Sequence, residues 1–177
     1  MDIFYTVFGK LVPRNYDKFP EPKKFIEFYK ENGISLVANI KPCLLKDHPL
    51  YDDVAKKGLL LTSADTQAPA ITQWWGGLGS YLDFTKLETI SWWKEHVISS
   101  LLEFGITSTW NDNNEYEVLS PNCMAYMFGR PCKAMDIKPL FGLLMMRASL
   151  QAQLEFANSS ATCNDKQPRQ FLVSRAG

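Results

Sequence analysis

The side chains best suited to chemistry are gathered in Trp110-Asn-Asp-Asn-Asn-Glu-Tyr-Glu117. Isoleucine, threonine and aromatic residues fit a pleated surface, whereas Asn and Asp favour turns, so Ile106 to Trp110 reads as a strand that delivers a polar cluster to its C-terminal tip. Asp112, Glu115 and Glu117 then lie in or beside the loop after that strand. In parallel α/β folds this is the edge where reacting groups are assembled. A large apolar ring beside an acid provides a floor for a sugar ring and modulates the acid's proton affinity by desolvation, which gives Trp110 and Asp112 a chemical use as a pair. The competing explanation is a polar loop that only solvates a strand end. A calcium loop is a third, since Asn111, Asn113 and Glu115 alternate as oxygen ligands would, but Tyr116 stands where an EF-hand loop needs glycine.

The elements that must position this cluster follow from periodicity and punctuation. Phe19-Pro-Glu-Pro22 starts a helix with an apolar face of Phe25, Ile26, Phe28 and Tyr29, stopped by Asn32-Gly33. Ile34 to Ile40 is a nearly continuous apolar run, the pattern of a strand buried on both faces, and Lys41-Pro42 ends it. A short helix from Leu50 to Lys57, a weak strand from Leu59 to Leu61 and a long aromatic loop from Ala64 to Ser80 come next. Thr85-Lys-Leu-Glu88 has the form of a capping box opening a helix to Phe104, closed by Gly105. On it Ile90, Trp93, Val97 and Leu101 share the packed face, and His96, one position off that face, reads as partly exposed. Leu119 to Lys133 reads as a loop. Pro139 to Ala157 is a second long helix with Met145 and Met146 as core fillers, Asn158 to Gln167 a polar connector, and Phe171 to Ser174 a final strand. Helices and strands alternate with no hairpin signal, which predicts a parallel sheet with right-handed crossovers. The strands Ile34 to Ile40, Ile106 to Trp110 and Gln170 to Ser174 should then be parallel, with Pro42, Asp112 and Arg175 at one edge.

Composition narrows the function. A chain of 177 residues that is 46% hydrophobic and 13% aromatic is one globular domain with ample core. Nineteen basic residues balance nineteen acidic ones, so charge recommends neither nucleic acid nor an anionic membrane as partner, and a neutral ligand fits better. No run is long and apolar enough for a membrane span, and Met1-Asp2-Ile-Phe-Tyr lacks the features of a signal peptide. Cys43, Cys123, Cys132 and Cys163 lie far apart with no C-x-x-C pair, which argues against a zinc site and against a dense disulfide framework; they read as free thiols, with a Cys123–Cys132 bridge the open alternative.

Taken in order, Asn39-Ile-Lys-Pro42, His48-Pro-Leu-Tyr51, Trp74-Trp-Gly-Gly77, Tyr81-Leu-Asp-Phe84, Thr109-Trp-Asn-Asp-Asn-Asn-Glu115, Arg147-Ala-Ser149 and Phe171-Leu-Val-Ser-Arg175 resemble glycoside hydrolase family 31, the α-glucosidase and α-xylosidase family. The likeness runs from Asn15 to the last residue, and the Trp-x-Asp-x-Asn-Glu core is its most specific part. It implies an α/β fold, a partial (β/α)8 TIM barrel with parallel strands and crossover helices, in which residues 1–177 form the central part of one catalytic barrel that is incomplete at both ends. It further implies a retaining α-glycoside hydrolase acting on an α-linked oligosaccharide or glycoside, with no cofactor and no metal. Asp112 corresponds to the catalytic nucleophile, Trp75 and Trp110 to walls of the subsite for the reacting sugar, and Arg175 to a donor to the sugar hydroxyls or the nucleophile. Asn114 and Glu115 complete the motif in supporting places.

The chemistry agrees with the residue types. Retention requires an ionised carboxylate against the anomeric carbon and a protonated carboxyl about 5 Å away. The family's acid belongs to a Trp-x-Gly-Asp segment beyond the strand that ends in Arg175, and this sequence has none; a sugar-binding aspartate is likewise expected ahead of residue 1. Asn113 stands where the common pattern has methionine, which bears on substrate preference, and Pro13-Arg-Asn15 departs from the aromatic-rich sequence expected there. The alternatives are a transglycosylase of the same family and a non-catalytic carbohydrate-binding module.

Overall fold

The computed structural model describes residues 19–117, 119–160 and 171–175. Helix α1 (Pro22–Glu31) opens on proline, whose missing N–H is harmless in a first turn, and buries Pro22 and Ile26. Strand β1 (Val37–Ile40) follows, then β2 (Cys43–Leu45), helix α2 (Tyr51–Lys56), β3 (Thr62–Ser63), β4 (Thr72–Trp74) and β5 (Gly77–Tyr81). Helix α3 (Leu87–Ser100) leads through a 3₁₀ turn to Gly105, whose φ of 99° needs no Cβ, and into β6 (Ser108–Asn111). Strands β7 (Cys123–Ala125) and β8 (Cys132–Lys133), helix α4 (Lys138–Ser160) and β9 (Leu172–Ser174) complete the order.

The fold is α/β, and its centre is a parallel three-stranded sheet in the order β1-β6-β9. Each of its neighbouring strands is joined through one long helix, α3 or α4. These helices pack on one another through Trp93, which is fully buried and donates its indole N–H to Ser149 Oγ at 2.9 Å. Phe84, Trp93, Leu101, Ile106, Phe141 and Met145 fill the core behind the sheet, and Met146 lies half-buried beside it. His96 is half-buried too, stacked on Trp92 with ring centroids 4.0 Å apart. The three parallel strands thus agree with the pattern read from the sequence, though β1 is shorter than that run: Ile34 is 50% exposed and pairing starts at Val37. Nor is β1 buried equally on both faces, since Ala38 and Ile40 are buried while Val37 and Asn39 are half-buried.

Antiparallel structure is the main correction. The stretch from Ala64 to Ser80 is not a loop: β4 and β5 form a hairpin in which Trp74 pairs with Gly77 across Trp75-Gly76, and β2 lies antiparallel on β5. Gly79 permits that close approach, because a Cβ there would stand 2.5 Å from the Leu44 carbonyl oxygen. This turn lacks the Asn-Gly or Asp-Gly signature that marks hairpins in sequence. The expected weak strand over Leu59 to Leu61 reduces to a single bridge, Leu60 to Leu82. Residues 119–133 likewise contain β7 and β8, sheeted with β3.

Thr85 is not a helix cap. Its hydroxyl donates to the buried Asp83 Oδ1 and accepts from the Met127 N–H at 2.8 Å, so α3 starts at Leu87 behind an uncapped Lys86. A stronger acceptor, a buried carboxylate two residues back, has taken the donor that the box would use. Cys43, Cys123 and Cys132 are free thiols; Cys132 pairs in register with Ala125, two positions from Cys123, so the alternative bridge does not form. Burial pushes the Cys43 thiol up to about 12 and that of Cys123 to about 11. Cys163 and most of the connector from Asn158 to Gln167 lie outside the described residues. No helix among the described residues is long and apolar enough to cross a membrane.

Candidate active site

The parallel register aligns Ile40, Asn111 and Ser174, so the next residue of each strand, Lys41, Asp112 and Arg175, falls in one row at one sheet edge. Backbone bonds extend both ladders into that row, from Asp112 N–H to Ile40 O and from Arg175 N–H to Asn111 O, each 2.9 Å. Side chains alternate along a strand. Thr109 and Asn111 face α4, where Gln153 Nε2 donates to Thr109 Oγ1 at 3.0 Å and Asn111 Nδ2 donates to Ser149 Oγ at 3.1 Å. Asn39, Trp110 and Val173, followed by Lys41, Asp112 and Arg175, therefore occupy the face away from that helix.

Asp112 is 8% exposed and held at both oxygens. Oδ2 accepts from Lys41 Nζ at 2.5 Å and from Asn39 Nδ2 at 3.1 Å; Oδ1 accepts from the Asn113 N–H at 2.9 Å, with Arg175 Nη1 3.6 Å away. Burial works against ionisation here. The hydrogen bonds from Lys41 and Asn39, the Lys41 charge and the Asn113 N–H outweigh it and hold the carboxyl below the ordinary carboxylate value. Asp112 is thus a carboxylate at neutral pH, suited to attacking an electrophilic carbon and unsuited to donating a proton.

The loop beyond Asp112 is shaped by two left-handed residues, Asn113 at φ 53° and Tyr116 at φ 55°. Asparagine tolerates that region, whereas tyrosine adopts it at a cost and must be held there. Tyr116 is fully buried, with its ring stacked between Tyr81 and Phe141, each 4.4 Å away, and its hydroxyl donating to Leu82 O at 2.7 Å. Arg175 then gathers the loop's acids, with Nε on Glu115 Oε1 at 2.8 Å and Nη2 on Glu117 Oε1 at 3.6 Å. Beside the row a cavity of about 420 Å³ is lined by Gln73, Trp74, Trp75, Tyr81, Asn113 and Glu117. Its walls come from the β4–β5 hairpin and from the Asp112 loop, joined at Asn113. Among the described residues no group of three His, Cys, Asp or Glu side chains is placed to hold a metal ion.

The whole chain, residues 1–177, matches the glycosyl hydrolases family 31 TIM-barrel domain. It belongs to that family. Among its relatives are the myogenesis-regulating glycosidase of Mus musculus, 23% identical over 163 residues, and alpha-glucosidase 2 of Bacillus thermoamyloliquefaciens, 23% identical over 186. The alignments take in 86% and 100% of this chain but 22% of either relative, so the chain spans about a fifth of their length. The same architecture occurs in a family 31 sulfoquinovosidase from E. rectale in complex with an aza-sugar inhibitor, with a TM-score of 0.73 and 23% identity over 89% of this chain and 22% of that one. A family 31 dextranase of Flavobacterium johnsoniae complexed with glucose gives 0.72 and 19%, over 88% of this chain and 18% of the other.

Within this family 31 domain the residues singled out in the sequence meet around one edge. Asp112, Arg175 and Glu115 form one ionic cluster, and Asn114 ties it to the last strand by donating from Nδ2 to Ser174 Oγ at 3.0 Å. Trp110 lies one alternation below Asp112 on the same face and is 42% exposed. Trp75 projects from the hairpin turn, is 61% exposed and reaches the site only through the cavity it shares with Asn113. Asn39 and Lys41 stand in the sequence only as family motif residues, with no part in the predicted site, yet both hydrogen-bond to Asp112. The available signal was their position at the end of a predicted parallel strand, which puts them beside whichever residue ends the neighbouring one.

Proposed function

We propose that this domain carries the nucleophile half of a retaining α-glycoside hydrolase, α-glucosidase-like, acting on an α-linked oligosaccharide or glycoside. Asp112 attacks the anomeric carbon and forms a glycosyl-enzyme ester; water later releases the sugar with its configuration retained. The observation that carries this reading is Asp112 itself: a carboxylate at the C-terminal sheet edge, nearly buried and fixed by Lys41, Asn39 and the Asn113 N–H. The names of its relatives, glycosidases and glucosidases, point the same way. Trp110 and Trp75 are placed to stack on sugar rings, and Arg175, 44% exposed at its side chain, keeps donors to offer to hydroxyls while bracing the acids.

In this proposal β1, β6 and β9 are neighbouring strands of one (β/α)8 barrel, residues 1–177 are its central part, and the general acid lies outside them. Trapping tests the nucleophile. A 5-fluoro or 2-deoxy-2-fluoro α-glycosyl fluoride, followed by peptide mass spectrometry of the full-length protein, should place the sugar on Asp112. Label on Glu115 or Glu117, with Asp112 unmodified, would overturn the assignment.

A further inference from the structure

Lys41 is a buried cation with a precise address. Its side chain is 9% exposed, and Nζ donates both to Asp112 Oδ2, at 2.5 Å, and to Asn113 Oδ1, at 2.8 Å. No other cation lies as close to Asp112 among the described residues: Arg175 stands at 3.6 Å from Oδ1 and makes its shorter contact, 2.8 Å, to Glu115. The two carboxylate oxygens are therefore unlike. Oδ2 takes a side-chain bond from each of Lys41 and Asn39, whereas Oδ1 takes the Asn113 N–H and has only Arg175 Nη1, at 3.6 Å, as a side-chain cation beside it.

We propose that Lys41 is a positioning residue for Asp112, pinning Oδ2 so that Oδ1 is the attacking oxygen, and that its charge favours breakdown of the glycosyl-enzyme over its formation. The proposal rests on Asp112 being the nucleophile. In the first step the Oδ1–C1 bond forms, the C1–leaving-oxygen bond breaks, and a carboxylic acid outside this chain gives the leaving oxygen its proton. In the second, water oxygen bonds to C1 while the same group, now a carboxylate, takes the water proton, and the Oδ1–C1 electron pair returns to Asp112. A cation on Asp112 disfavours spending carboxylate charge in the first step and favours regaining it in the second. Lys41 thus trades nucleophilicity for leaving ability. Asn113, by accepting from the same ammonium, ties this charge to the aromatic cavity that it lines.

The test compares full-length protein with K41M, K41Q and K41R. Lys41→Gln removes the charge but keeps a donor, and it decides the matter should Lys41→Met fail to fold. The Asp112 carboxyl, identified by its loss in D112N, is titrated by ¹³C NMR; the charged groups that bear on it are Lys41 and Arg175, with Glu115 and Glu117 acting through Arg175. Its titration should move upward in K41M and K41Q and return towards wild type in K41R. With a 2-fluoro glycosyl fluoride, hydrolysis of the trapped ester should slow roughly ten- to a hundredfold in the uncharged variants, the scale of one lost charge-assisted bond, while ester formation changes less. An unmoved Asp112 titration, or both steps slowed equally, would overturn the proposal. Label on another residue while Asp112 still titrates as described would instead sink the nucleophile reading and leave the Lys41–Asp112 contact standing.

Discussion

Removing one oxygen atom, Tyr116→Phe, probes how the loop beyond Asp112 is held. The phenol is fully buried and donates to Leu82 O at 2.7 Å, while the ring is clamped between Tyr81 and Phe141. Phenylalanine keeps both stacks, so the change isolates the hydrogen bond. An orphaned buried carbonyl costs about 1–3 kcal/mol, which for a domain of this size lowers the melting temperature by roughly 2–12 °C. Tyr116→Ala adds the lost ring, about 3–5 kcal/mol. It also frees the backbone at φ 55° from the packing that holds it there. The assay is thermal unfolding of wild type and both variants, followed by near-ultraviolet circular dichroism. Above pH 10 the difference should narrow. Burial raises the Tyr116 pKa well above its ordinary value, so its stabilisation is complete below the unfolded pKa, near 10, and is lost as the pH rises beyond it. A Tyr116→Phe variant within about 0.5 kcal/mol of wild type at neutral pH would refute the reasoning, since surface changes alone stay in that range.

Other outcomes follow from the same geometry. Ser149→Ala removes the acceptor shared by two buried donors, Trp93 Nε1 and Asn111 Nδ2, and should destabilise by about 2–4 kcal/mol in urea unfolding, whereas Ser149→Thr keeps the hydroxyl and should cost less. The depressed Asp112 pKa contributes stability that is present above the unfolded value near 3.9 and lost as pH falls through the folded one. Acid unfolding of D112N should accordingly be less steep below pH 4 than that of wild type. On the proposed reading, in which the general acid lies outside residues 1–177, the 177-residue chain expressed alone should hydrolyse p-nitrophenyl α-glucoside no faster than its Asp112→Ala control, because proton donation to the leaving group is worth about 10²- to 10⁴-fold. Turnover by a soluble monomer well above that control would place the acid within the chain, with Glu115 and Glu117 the first to examine.

The sequence by itself determined the parallel sheet, the strand-tip acid and the family. Apolar runs, a left-handed glycine after a helix and an Asn/Asp cluster after a β-prone stretch are local signals, and they reported Ile40, Gly105 and Asp112 correctly. The family motif orders Arg175, Glu115 and Asn114 along the chain, and the structure gathers them beside Asp112. Only the tertiary structure decided what those residues touch. Lys41 meets Asp112 across 71 positions through strand register, which no local pattern encodes. Thr85 abandoned its helix for Asp83, and Trp75 took the tip of an unforeseen hairpin, because a buried carboxylate and a sheet edge outbid local propensity once the chain was folded. Periodicity reports which side of an element is apolar; the partner on the polar side is chosen by register and burial, and these exist only in three dimensions.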